Sequence, residues 1–236
     1  MTEIFAGSEL KIARARKHVI EFEQYVADHM DAHPPKVTTR ERTDPADEWS
    51  ALNTHVEVKV LPPEAGAIIG DVIHNLRAAL DIMAVSLVGA VSTDTENVYF
   101  PFCTDANELD KMIKRRGFDR AGQDAVDLLK QFAPHRGGNE ALRALHELDI
   151  QDKHHMVIPI LANISSPPSR VEIDESVQPR RVRLVPLDYD PKTLFAPSFP
   201  DNSFLAHREV IPTLHELVSL VEGILKAFAA LVAARA

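Results

Sequence analysis

The 236-residue chain has one cysteine, Cys103, and one tryptophan, Trp49. A single thiol closes no internal disulfide and builds no cysteine-based zinc site, so no covalent staple supports this fold. A Gly-rich phosphate loop, a nucleophilic Ser or Cys motif and a CxxC pair are also missing. The common nucleotide-cradling, hydrolase and dithiol signatures are therefore unfilled. There is no internal repeat and no low-complexity tract. Positive charge is scarce: 26 Lys and Arg face 35 Asp and Glu, for a net charge of -9 and a pI near 5.6. That balance opposes non-specific adhesion to nucleic acid or to an anionic membrane. The amino-terminal MTEIFAGSELKIARARKH carries charge where a signal peptide needs an apolar run. The apolar stretch 217–234 is amphipathic and broken by Glu222 and Lys226. The expectation is a soluble, cytoplasmic, bacterial-type protein with no membrane span.

What the chain does have is a long apolar segment, residues 65–90, behind Pro62 and Pro63. Ile69, Ile73, Leu76, Leu80, Met83 and Leu87 alternate spacings of four and three, the seam of a bundle helix. Ile68, Val72, Ile82 and Val85 widen that surface. No Lys or Glu occurs between Glu64 and Glu96, although these residues dominate solvated helix faces. The spacing predicts a mostly buried central helix with a polar stripe of His74, Arg77 and Asp81, to which Asp71 adds one more carboxylate.

Around it the pattern predicts a first helix over 8–29, capped by Ser8, with Leu10, Ala13, Val19, Phe22, Tyr25 and Val26 inward. Strands are expected at 37–42 and 55–61, separated by a polar loop that carries Trp49. Val98 to Phe102 reads as an aromatic loop plug. Short helices are expected at 107–116 and 120–132, and a longer one from about 139 to Met156 or beyond. A second hairpin is expected at about 170–174 and 181–185, an irregular Pro-rich stretch at 188–203, and a last helix over 211–234. The class is α+β, mainly α: a bundle of four long helices with two short ones and a small antiparallel sheet from two hairpins. We expect one integrated domain over 1–236, the strands at about 37–61 and 170–186 forming a subdomain.

The second polar stripe lies in EALRALHELDIQDKHHM. On a helical wheel Asp149 and Asp152 fall among Leu142, Leu145, Leu148 and Met156, with His146 and Lys153 on one flank and His155 on the other. A buried carboxylate is costly unless paired and hydrogen-bonded, so a cation must approach. Arg77 on the central helix is the expected supplier, with His74 and Lys153 also within the set. The two helices are thus expected to be neighbours, with HNLRAALD facing LDIQDKHH.

GDVIHNLRAALD, VYFPF, FAPHRGGNEALRALHELD and DKHHMVIP together resemble a set of short, functionally uncharacterised bacterial proteins. Those carry an HNLRxALD helix, a P-Y/H-x-G-G-N turn and a D-K-H segment in that order. The resemblance spans about residues 70–159 and implies a site without implying a chemistry. The chain also resembles the HEPN class of helical bundles, found in toxins and phage-defence ribonucleases. These use an Arg, four to six residues, then a His, contributed across a dimer. Arg208 and His215 have that spacing here, although 16 arginines and 11 histidines produce roughly two such matches by chance.

Three readings follow. In the first, the protein is a HEPN-like, metal-independent ribonuclease whose catalytic set is His74, Arg77, Asp81, Asp149, Asp152, Lys153, His154 and His155. There the histidines transfer protons, while Arg77 and Lys153 stabilise a phosphate transition state. In the second, the polar cluster is a structural ion-pair network in a non-enzymatic binding or assembly module. In the third, Asp71, His74, His146 and Asp149 hold a metal, each acid one turn from a His. No cofactor is expected, and the long apolar terminal helix suggests a homodimer.

Overall fold

The computed structural model describes residues 3–43, 50–155, 160–165, 167–176 and 181–235. Among these it is mainly helical, with six helices and three antiparallel two-stranded sheets. In chain order the elements are α1 (Ala6–Ala32), β1 (Lys36–Thr43), β2 (Ser50–Glu57), α2 (Glu64–Gly89), α3 (Leu109–Arg115) and α4 (Gln123–Gln131). There follow α5 (Glu140–His155), β3 (Leu161–Ile164), β4 (Ser169–Asp174), β5 (Arg181–Pro186), β6 (Phe195–Ser198) and α6 (Val210–Arg235).

The central helix is α2. Pro63 sits just before its first residue, where a missing N–H loses no intrahelical bond. Ile69, Ile73, Leu76, Leu80, Met83 and Leu87 are each at most 1% exposed, and burying each contributes roughly 1.5–3 kcal/mol. The helix packs against α1, α5, α6 and the 3₁₀ turn Phe118–Ala121. Contact on several sides explains why it carries so little charge. Ile82 is only half-buried and Val85 is 38% exposed, so the apolar surface is narrower than expected on that flank.

The first helix extends beyond the expected 8–29 at both ends. Ser8 does not cap it: Phe5 occupies the cap position, while Ser8 is buried in the first turn with no partner for its hydroxyl. Its inward face is Ile12, Ala15, Val19, Phe22, Val26 and Met30, whereas Leu10 is 73% exposed. The second strand also lies earlier than expected, at Ser50–Glu57 in place of 55–61. Pairing explains this. Lys36 opposes Glu57 and Thr43 opposes Ser50, and the preceding Pro34 and Pro35 offer no N–H to extend the ladder toward Val58 and Val60. Trp49, Met156 and Pro159 lie outside the described residues.

The hairpin of β4 and β5 forms near its expected position, but it is not joined with β1–β2 in one sheet among the described residues. A strand pair was missed. β6 lies inside the stretch expected to be irregular and pairs with β3, Pro197 opposite Ala162. The short helices and the last helix run within three residues of their expected bounds, except that a 3₁₀ turn takes the start of the 120–132 segment.

The plug is formed by Val98, Phe100 and Phe102, all buried, with Tyr99 pointing outward. Phe100 N donates to Asp81 Oδ1 at 2.9 Å, which ties the loop to α2.

Candidate functional site

The α2–α5 seam brings the two polar stripes together. Asp149 is 3% exposed and both its oxygens are engaged. Oδ1 lies 3.2 Å from His74 Nδ1 on α2, and Oδ2 accepts from Lys153 Nζ at 2.6 Å, one turn along α5. An ionised carboxylate only accepts, so the first contact places the hydrogen on Nδ1 of the neutral ring. The His74 and Lys153 side chains are 50% and 51% exposed, while that of Asp149 is 5% exposed. The buried acid thus stands behind an imidazole and an ammonium group that face water. The other ring nitrogen of His74 has no partner among the described residues.

This corrects the expected supplier. Arg77 does not reach Asp149 or Asp152. Its guanidinium pairs with Asp81, one turn on in its own helix, at 2.5 Å, and lies over the Phe102 ring, 4.5 Å from its centroid. The Asp81 contact lacks the alignment of a hydrogen bond, since Arg77 NH1 is buried without a bonded acceptor. Asp81 Oδ1 is already taken by Phe100 N. Charge attraction and the ring face together hold the group. A partner at i+4 needs no reach across the helix gap, whereas His74, one turn earlier, sits directly opposite Asp149.

Asp152 occupies the same seam, beside Gly70 of α2. A Cβ built on Gly70 would meet Asp152 Cγ at 2.6 Å and Oδ2 at 2.8 Å, so the carboxyl rests where only a glycine leaves room. Burial first, then the carboxylates of Asp149 and Asp71, push the Asp152 pKa up, with His74 and Lys153 opposing. Gly70 was not anticipated. A glycine inside an apolar helix is the one signal that could have marked the close approach.

His146 belongs to a different contact. Its ring stacks on Phe102 with centroids 4.6 Å apart and planes within 6°. Phe102 thus contacts both the Arg77 guanidinium and the His146 ring. The Nδ1 atom of His146 is buried with no partner. Burial, then the charges of Arg77 and Arg143, lower its pKa to about 4, so the ring is neutral at pH 7. Arg143 pairs with Glu147 along α5.

Asp71, His74, His146 and Asp149 do not converge as a ligand set: among the described residues no group of three or more His, Cys, Asp or Glu side chains could hold a metal. Asp71 is exposed, and its carbonyl accepts from Asn75 Nδ2 at 2.7 Å. His154 and His155 close α5, and their side chains lie outside what the structure describes. Arg208 precedes α6 and pairs with Glu216, while His215 contacts Glu23 of α1 at 2.7 Å. Both have partners outside the seam. No family model, curated protein or solved structure matches the chain.

Proposed function

We propose that the protein is a HEPN-like bundle of the four long helices α1, α2, α5 and α6, in which the α2–α5 seam is an acid–base centre for metal-independent cleavage of RNA. The observation that carries this reading is the His74–Asp149 contact: a buried carboxylate fixes one ring nitrogen and leaves the other toward solvent. That arrangement suits a general base near pH 7. In the proposed step His74 takes the proton of a ribose 2′-hydroxyl as that oxygen bonds to phosphorus. The bond from phosphorus to the 5′ oxygen breaks, and the leaving oxygen takes a proton from a general acid, a role given in this reading to Asp152 because its carboxyl lies in the same seam. Lys153 offsets charge on the phosphoryl oxygens. Arg77 and Asp81 then serve as scaffold, being paired beneath the plug.

A second reading is favoured by one observation: both Asp149 oxygens are already used, one by the His74 ring and one by the Lys153 ammonium. A closed network of this kind locks helix register with no chemistry at all, as in a binding or assembly module.

The separating experiment is cleavage of a labelled single-stranded RNA in the presence of a chelator. His74→Gln keeps a donor for Asp149 but transfers no proton. The ribonuclease reading expects cleavage by the unaltered protein and its loss in His74→Gln with the fold intact. An inactive protein that Lys153→Ala merely destabilises leaves the register lock.

A further inference from the structure

Positive charge is scarce in this chain, yet residues 108–120 hold five cations against three acids. Lys111, Lys114 and Arg115 stand three and four residues apart on α3, so they share one helix face, and all three are exposed. None has an acidic partner among the described residues. Asp110 is engaged by Lys130 and Asp94 by Arg120, while Glu108 and Asp119 precede and follow the helix. The next residue, Arg116, holds its guanidinium over the Tyr99 ring, 5.3 Å from the centroid. Tyr99 N donates to Arg116 O at 3.2 Å, which fixes the end of α3 against the plug. Tyr99 itself is 43% exposed, although Val98 and Phe100 on either side of it are buried.

The carbonyl end of a helix favours cations, which accounts for Lys114 and Arg115. It accounts neither for Lys111 in the first turn nor for an outward aromatic ring braced by a guanidinium. A ring in water beside unpaired cations is the combination that holds single-stranded nucleic acid: bases stack on the aromatic face and cations meet the phosphates. A lipid surface would call for a broader apolar face than one ring, and the neighbours of Tyr99 are turned inward. The position also fits. Phe100 N is bonded to Asp81 of α2. Asp81 lies two helical turns beyond His74 on nearly the same face, about 10 Å along the axis. A stacked strand rises about 3.4 Å per nucleotide, so roughly three nucleotides cover that distance. We infer that α3 and Tyr99 form a docking surface for single-stranded RNA, with a base stacked on Tyr99 and neighbouring phosphates on Lys111, Lys114 and Arg115. The choice of RNA rests on the cleavage reading, whereas the docking is measured without cleavage.

The test is fluorescence anisotropy of a labelled 2′-O-methyl oligouridine, which has no 2′-hydroxyl to react and so reports binding alone. The unaltered full chain is expected to bind it at low salt. Tyr99→Ala should weaken binding about tenfold, whereas Tyr99→Phe keeps the ring and should bind as the unaltered protein does. Lys111→Gln/Lys114→Gln/Arg115→Gln removes only exposed, unpaired charges and should leave thermal melts unchanged. It should flatten the slope of log affinity against log salt by about 2, at roughly 0.7 per phosphate contact of a single strand. No binding by the unaltered chain overturns the inference. So does binding that neither Tyr99→Ala nor the triple variant weakens, or capture by phosphatidylglycerol vesicles in place of the oligonucleotide. Unmodified RNA cut at an unchanged kcat/KM by both variants also overturns it, while the cleavage reading stands. An oligonucleotide bound through this surface by a protein that cuts no RNA supports the docking and ends the cleavage reading.

Discussion

Removing the acid of the α2–α5 seam should harm the protein less than removing the two side chains that hold it. The reason is the difference in exposure. The Asp149 side chain is 5% exposed, whereas His74 and Lys153 are about half exposed. In Asp149→Ala the imidazole and the ammonium lose bonds to a carboxylate but regain water, for a net loss of about 1–2 kcal/mol. In His74→Ala/Lys153→Ala the carboxylate stays in the seam without a counter-charge. Breaking a buried pair from that side costs about 3–5 kcal/mol. Urea unfolding followed by circular dichroism, with slopes compared so that only equal slopes are read as stability, gives both losses. The expected gap is roughly 2 kcal/mol at pH 7. A double variant no less stable than Asp149→Ala would refute the argument that burial of the acid sets the energetics.

Two further outcomes follow from the neighbouring contacts. The His146 pKa is depressed from 6.5 to about 4 in the folded state, so the unfolded chain binds the extra proton first. Its contribution is complete above pH 6.5 and is lost as pH falls through about 4. The full shift corresponds to at most about 3 kcal/mol, and solvent screening at the part-exposed ring reduces that to roughly 1–2 kcal/mol. His146→Phe keeps the stack on Phe102 without titrating, and its urea midpoint should fall less between pH 7 and pH 4 than that of the unaltered protein. Equal slopes would exclude the assignment. Gly70→Ala should lower stability by about 1 kcal/mol, since overpacking against Asp152 outweighs the helix propensity of alanine. In an Asp152→Ala background the same substitution should become stabilising in thermal melts, and an unchanged sign would mean that the two residues do not touch.

Much of this arrangement can be read from periodicity. The six seam positions of α2 recur every three or four residues, and each is buried. The wheel of α5 puts Asp149 among leucines, and a carboxylate in that position demands a cation whatever the rest of the fold does. Which cation answers is not local information. It depends on the register between α2 and α5, and Gly70, a residue with no side chain, helps set how closely they approach. The contacts of Phe102 with Arg77 and His146 join three segments far apart in sequence, and no spacing announces them. The early end of β2 and the unexpected β6 share a cause: prolines at 34, 35 and 197 shape strand pairing that hydrophobic alternation alone does not describe. The exposure of Leu10 reflects a similar gap, because a wheel ranks faces and does not say which neighbour is near enough to cover each turn.

The central claim is that the Asp149 carboxylate grips His74 across the helix seam, and ¹⁵N NMR of the imidazole nitrogens above the histidine titration tests it most directly. The account predicts that neutral His74 carries its hydrogen on Nδ1, and that Asp149→Ala returns it toward the Nε2 form usual for a free histidine. A His74 ring protonated on Nε2 in the unaltered protein, and indifferent to loss of Asp149, would contradict it.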